Sequence, residues 1–335
     1  MNASAALTEF ELIHAIARHV KPSTHVPVGI GDDAAVIAPT PNQHLVTTTD
    51  SLVLDRHFTS DWTPEDIGHL AMAVNLSDLA AMAAKPRWAL LNMTLPKDSV
   101  YATQGWLDGF MQGFLSLDDG LVLVGGNLSE GPLNIGVVLI GEVRPDQAIT
   151  RSRAQVGDLL VVTGTLGDAA AALSHRVDDT SFGLALQQRL HRPTPRLLAG
   201  QQAAGHVHAM IDVSDGLLAD LWHLLDASSR DSAIPSLGAQ IELQQLPTSK
   251  ALKAMDLSDA ERWNLQLSGG NDYELLMSVQ PSNLTPLLAD LQSTKTDATV
   301  IGEITTGGEI VLRDQDRNHF VPAKRGWDHF QEEGS

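Results

Sequence analysis

The sequence predicts an α+β fold in two halves. Strand-like and helix-like patterns are mixed along the whole of a 335-residue chain, which is long enough for one large domain or two ordinary ones. No short-period repeat or low-complexity tract interrupts it. The composition shifts near residue 150, where Thr150-Arg151-Ser152 leads into Val156-Gly157-Asp158. We therefore place the halves at residues 1–149 and 150–335.

In the first half, Thr8 followed by Glu11 is a capping box, and Phe10, Ile13, Ala17 and Val20 recur at helical spacing until Pro22 closes the helix. Residues 26–37 are apolar and punctuated by glycine, and residues 45–54 have strand character around Asp50. Residues 64–84 form the strongest helical segment, and its small side chains suit close packing. Residues 88–95 and 121–124 read as strands with a helix at 106–114 between them, and residues 134–143 as another strand. In the second half, residues 159–163 read as a strand and 167–173 as a helix, and the proline-marked stretch 191–196 enters a further helix. Residues 211–225 pass from a strand end through Ser214-Asp215-Gly216 into an amphipathic helix carrying Leu217, Leu218, Leu221, Leu224 and Leu225. A tight turn at 268–272 precedes a strand at 274–279.

Composition removes several classes of function. A formal net charge of −19 opposes nucleic-acid binding, which needs a basic face. The absence of cysteine excludes disulfides, thiolate catalysis and cysteine-ligated zinc. No apolar run is long enough to span a membrane, and the first residues lack the basic-then-apolar pattern of a signal peptide, so a cytoplasmic location is expected.

Six aspartates stand in short segments marked by glycine or serine: Asp32 and Asp33, Asp50, Asp78, and Asp212 and Asp215. Carboxylates among alanine, valine and leucine are costly to bury without a positive partner, and no matching set of lysines or arginines lies nearby in sequence. Oxygen-only donors point to magnesium, the ion that accompanies nucleotide phosphates. Each segment also has a plainer reading. Residues 29–33 would serve as a turn, residues 48–51 as a strand end, and Ser77 or Asp78 as a cap at a break in the helix. Ser214 or Asp215 would cap the following helix, whose free N–H groups attract phosphate oxygens. The paired glycines at 125–126 and 269–270 would be tight connections, His57 a surface histidine and Trp327 a packing aromatic. Walker, dinucleotide and protein-kinase motifs are absent.

Taken together and in order, GIGDDAAV (29–36), TTDSLV (48–53) with HF (57–58), AVNLSDLAAMAAKP (73–86), GG (125–126), TRS (150–152), VTGTLGD (162–168), RPTPR (192–196), DVSDGL (212–217), residues 268–275 and GWDHF (326–330) resemble the thiamine-monophosphate kinase family. That family shares a superfamily with aminoimidazole ribonucleotide synthetase and selenophosphate synthetase. The resemblance covers essentially the whole chain. It implies two α/β domains of the synthetase-like type, the N-terminal one pairing into a β-barrel in a homodimer. It further implies transfer of the γ-phosphoryl group of ATP to thiamine monophosphate, giving thiamine diphosphate.

By the same resemblance, Asp33, Thr48, Thr49, Asp50, Asp78, Asp212 and Asp215 would hold several Mg2+ ions, with K+ as an optional monovalent companion. Gly126, Asn127, Arg151 and Ser214 would contact ATP, and Asn127 would also ligate metal. His57, Asn271 and Trp327 would hold the thiamine moiety. The acceptor phosphate is already ionised at neutral pH, so no general base is assigned; the metal-bound aspartates and Arg151 would carry charge stabilisation. Three positions depart from the family pattern. Asn127 stands where aspartate is expected and Asn271 where glutamate is expected. His57 follows Leu54-Asp55-Arg56, where a Glu-Gly-Val-like stretch is expected. Two alternatives accompany this reading: a superfamily enzyme that uses ATP with a different acceptor, and a weakened nucleotide-binding homologue.

Overall fold

Alternating or continuous apolar residues build the strands, and capping residues start several of the helices. The computed structural model describes residues 7–97, 99–175, 180–231, 236–324 and 326. These form two compact units. One comprises Met1–Leu79 and Ala84–Asp146, the other Ala80–Ala83 and Gln147–Ser335.

The first unit opens with α1 (Glu9–Ala17), started by the expected capping box: the Glu11 carboxylate accepts from the Thr8 N–H at 2.8 Å. The helix stops at Ala17, short of Val20, and buries Leu12, Ala15 and Ile16, while Phe10 is 73% exposed. The stripe read from Phe10 is therefore not the buried one. Strand β1 (His44–Val53) leads to α2 (Pro64–Ala81) and β2 (Lys85–Leu95), then to α3 (Gln104–Phe114), β3 (Val122–Glu130) and β4 (Asn134–Val143). The sheet order is β1-β4-β2-β3, antiparallel except for the parallel β2–β3 pair that α3 connects. Helices α2 and α3 meet at backbone distance, where a Cβ on Gly68 would overlap the Phe110 carbonyl. Stacked Trp106, Phe110 and Phe114 line α3 with ring centroids 5.3 and 5.7 Å apart.

Two local readings are corrected here. Helix α2 runs unbroken through Ser77 and Asp78, so neither caps a break. Gly125-Gly126-Asn127 is not a turn but the middle of β3, because pairing with β2 overrides the local glycine signal. The register shifts between Ala89 and Leu90, leaving Val124 as the extra residue of a bulge. Gly126 then lies so close to β2 that a Cβ would overlap the Leu91 carbonyl oxygen.

The second unit follows as β5 (Leu159–Thr163), α4 (Asp168–Ser174), α5 (Ser181–His191), α6 (Leu197–Ala203), β6 (Val207–Val213), α7 (Leu217–Asp231) and β7 (Leu237–Glu242). It ends with α8 (Lys250–Lys253), α9 (Asp259–Ser268), β8 (Glu274–Val279), α10 (Leu284–Ser293), β9 (Ala298–Thr306) and β10 (Ile310–Arg313). The six strands lie in the order β10-β7-β9-β5-β8-β6, antiparallel except for the β10–β7 pair. Alternate residues of each central strand enter opposite cores. Leu160, Val162, Ile211 and Leu276 pack with the leucines of α7, whereas Val161, Met210, Leu275 and Met277 pack with α6 and α10. This sheet is covered on both faces. No helix among the described residues is long and apolar enough to cross a membrane.

Candidate nucleotide and metal site

Each unit carries some of the candidate acidic residues. In the first, Asp32 and Asp33 sit exposed on a loop that includes isolated bridges such as Val28 with Val36, and the Asp33 N–H donates to Asp32 Oδ1 at 2.8 Å. On β1, residues two apart share a face, so Thr48 and Asp50 point one way and Thr49 the other. Thr48 Oγ1 donates to Asp78 Oδ2 at 2.5 Å, which ties β1 to α2 and brings Asp78 to the face that Asp50 shares. The Thr49 hydroxyl instead donates to the Val137 carbonyl at 2.9 Å. The side chains of Thr48 and Thr49 are thus not brought together.

Asn127 faces the same side as Thr49. It pairs with Asn92, which pairs in turn with Gly136, the partner of Ser51. This is the opposite side of the sheet from Thr48 and Asp78. His57 follows β1 in a short turn, and its Nδ1 accepts the Val53 N–H at 2.9 Å. That bond fixes the neutral tautomer with the proton on Nε2.

In the second unit, Asp212 is the last residue but one of β6 and is buried, while Ser214 and Asp215 are half-buried in the loop before α7. The first helical hydrogen bond of α7 runs from the Asp220 N–H to the Gly216 carbonyl at 3.1 Å, so Gly216 occupies the N-cap. Neither Ser214 nor Asp215 caps the helix. Nor are their N–H groups free for phosphate: both donate to Asp220 Oδ2, at 3.0 and 3.1 Å. Burial and the neighbouring Asp215 carboxylate push the Asp220 carboxyl up to about 7, against the pull of the backbone N–H groups at residues 214–216.

The 268–273 turn is zipped onto this loop. The Asn271 N–H donates to the Ser214 carbonyl and the Tyr273 N–H to the Val213 carbonyl, both at 2.8 Å. Asn271 has φ 59°, in the left-handed region that asparagine tolerates well, and its Oδ1 accepts from the Tyr273 hydroxyl at 3.1 Å. Beneath the turn lies a buried charge network. Arg196 grips Glu274 with two bonds of 2.6 Å, and Arg189 adds one of 2.9 Å. Thr163 donates to the same carboxylate at 2.6 Å. Asp272 is buried between this network and α4. It accepts from the Gly167 N–H at 2.9 Å, and burial raises its carboxyl well above the usual range.

The donors are all hard oxygens, the type that suits magnesium. Among the described residues no three carboxylates or imidazoles gather closely enough to hold a metal alone. Magnesium ordinarily takes one or two protein carboxylates and completes its shell with phosphate oxygens and water, so it does not require a larger cluster.

Comparison with known proteins decides the family. Residues 31–143 match the family model for the AIR synthase related protein N-terminal domain, and residues 155–315 match the model for its C-terminal domain. A thiamine-monophosphate kinase of Haemophilus influenzae is 37% identical over 98% of this chain and 99% of its own length. This chain belongs to the thiamine-monophosphate kinase family. The crystal structure of a thiamine-monophosphate kinase from Stenotrophomonas maltophilia covers 93% of the chain and 98% of its own, at 37% identity and a TM-score of 0.81. A structure of AaThiL complexed with AMPPCP and TMP covers 96% and 97% respectively, at 31% identity and a TM-score of 0.73.

Within the family frame, Trp327 lies outside the described residues. Its neighbour Gly326 does not, and a Cβ there would stand 3.2 Å from the Asp215 carbonyl oxygen. Ser268 Oγ donates to the Lys324 carbonyl at 2.6 Å, so the chain just before Trp327 is fastened beside the 214–216 loop. Arg151 is exposed, and its carbonyl accepts from Ser228 Oγ at 3.2 Å. Sequence reading missed Asp220. The available signal was an acid on the leucine stripe of α7, three residues after Leu217 and immediately before Leu221.

Proposed function

We propose that this protein transfers the γ-phosphoryl group of ATP to the phosphate of thiamine monophosphate in line, giving thiamine diphosphate and ADP. The observation that carries the reading is the Thr48–Asp78 bond. It gathers Thr48, Asp50 and Asp78 on one face, all with oxygen donors, in a chain related along nearly its full length to thiamine-monophosphate kinases. The relative AaThiL, solved with AMPPCP and TMP, supports the choice of both substrates.

In this reading Asp33, Asp50 and Asp78 of the first unit, and Asp212 and Asp215 of the second, hold Mg2+. When bound, the metal offsets the charge of the phosphates and fixes their alignment. Thr48 orients Asp78 through its hydroxyl, and Thr49 is left its backbone carbonyl as a donor. Gly126, Arg151 and Ser214 contact ATP, with Arg151 supplying positive charge. Asn127 lies across the sheet from Asp78, so it serves the nucleotide more naturally than the Asp78 metal. His57 contributes its imidazole to holding the thiamine compound, Asn271 its amide and Trp327 a stacking ring. No side chain need take a proton, because the attacking phosphate oxygen is already ionised at neutral pH. We also infer a homodimer formed through the open face of the first sheet, on which Leu45, Leu90, Val138 and Ile140 are exposed or half-exposed.

Incubation with MgCl2, ATP and thiamine monophosphate, followed by chromatography, should yield thiamine diphosphate and ADP in equal amounts. Asp78→Asn should lower kcat by about a hundredfold or more, with an unchanged circular dichroism spectrum. ADP without thiamine diphosphate would indicate another acceptor. A fully active Asp78→Asn enzyme at limiting magnesium would remove the metal assignment.

A further inference from the structure

We propose that Asp220 is a positioning residue whose carboxylate sets the backbone of the 212–216 loop, and with it the aim of Asp212, Ser214 and Asp215. The inference rests on the function proposed above only for what that loop binds. Asp220 is 3% exposed, on the face of α7 where Leu217, Leu221 and Leu224 are fully buried. An acid there is costly unless its oxygens are used. One of them is used on the loop: Oδ2 takes the N–H groups of both Ser214 and Asp215.

A serine or threonine at the N-cap would hold a helix end without placing a second carboxylate beside Asp215. What a carboxylate adds is a grip on two consecutive N–H groups from inside the helix. With those groups turned toward α7, the Ser214 carbonyl is left to receive the Asn271 N–H and the Val213 carbonyl the Tyr273 N–H. One buried acid therefore fixes the 212–216 loop directly and the 271–273 turn through it. Metal-facing carboxylates held this way keep their separation when no ion is present.

The test uses the full-length protein, with Asp220→Asn, Asp220→Ala and a control, Leu291→Ala, that removes a fully buried side chain from the core on the other face of the second sheet. Mn2+ affinity is measured by electron paramagnetic resonance without substrates, alongside the melting temperature and steady-state kinetics. We expect Asp220→Asn to weaken Mn2+ binding about tenfold or more. Its kcat should fall further than its KM for thiamine monophosphate rises, while Leu291→Ala should melt earlier with unchanged Mn2+ affinity. Asp220→Ala should exceed the Asn variant in each respect. If it does not fold, the near-isosteric Asn variant decides the matter. Wild-type Mn2+ affinity in Asp220→Asn, or equal loss in the leucine control, would overturn the inference while leaving the kinase reading intact. Weakened Mn2+ binding in a protein that makes no thiamine diphosphate would uphold the inference and remove the kinase reading.

Discussion

The two sheets solve the same packing problem differently. The six-stranded sheet is covered on both faces, with Val161 and Met277 entering one core and Val162 and Leu276 the other. The four-stranded sheet buries only one. Along β4, Ile135, Val137 and Leu139 are buried, whereas Gly136, Val138 and Ile140 alternate with them half-exposed. Their charges differ in the same sense. Glu274 is fully buried within two arginines' reach, but Asp33 and Asp50 lie open to solvent. The first sheet thus leaves one face open where the second leaves none.

The sharpest way to break this contrast is to open the closed unit. Glu274→Ala should cost about 3 kcal/mol, because Arg189 and Arg196, both largely withdrawn from water, would lose the carboxylate they share. Urea denaturation checks it, and a loss under 1 kcal/mol would mean that the network is solvated in a way the fold does not suggest. A smaller effect is expected on the open face. Val138→Lys should convert a wild-type dimer to monomers in sedimentation velocity, and the unfolding midpoint should lose its dependence on protein concentration. A dimer that persists would assign the interface elsewhere.

The smallest effect concerns Glu142, a buried acid of the first unit. Burial alone would raise the Glu142 carboxyl, but the Thr40 N–H and hydroxyl and the Arg87 guanidinium together hold it below its ordinary value. Its stabilisation is present above the unfolded carboxyl value of about 4.5 and is lost as pH falls through the lower folded value. Glu142→Gln should therefore flatten the acid limb of the stability profile, and an unaltered limb would show that other carboxylates set it.

Legibility in the sequence followed the same division between local and distant causes. Strands β4 and β5 read with their observed bounds, because alternating or continuous β-branched residues bordered by turn residues have little else to form. Gly125-Gly126 misled, since no local signal reveals that β2 will recruit that stretch into the sheet. Phe10 misled because a period of 3.6 identifies a helix without saying which stripe meets the core. Helices α5, α9 and α10 and strands β7, β9 and β10 went unread, their patterns too short or too polar to stand out. At the candidate site the acidic loops were conspicuous, because acids in apolar surroundings are uncommon. The engagement of the Ser214 and Asp215 N–H groups was not, since that depends on a side chain five or six residues away folding back onto them.

The register of the first sheet bears on how the chain is made. His44 pairs with Val143, so β1 has no partner until about a hundred further residues have left the ribosome. At synthesis rates of about 5–20 residues per second, that wait lasts on the order of 5–20 s. A ten-residue apolar strand exposed for so long would invite pairing with neighbouring nascent chains. Strand β1 instead carries Thr47, Thr48, Thr49, Asp50 and Ser51 in succession. Such a run of hydroxyls and a carboxylate favours hydration of the waiting strand over pairing with a neighbouring chain.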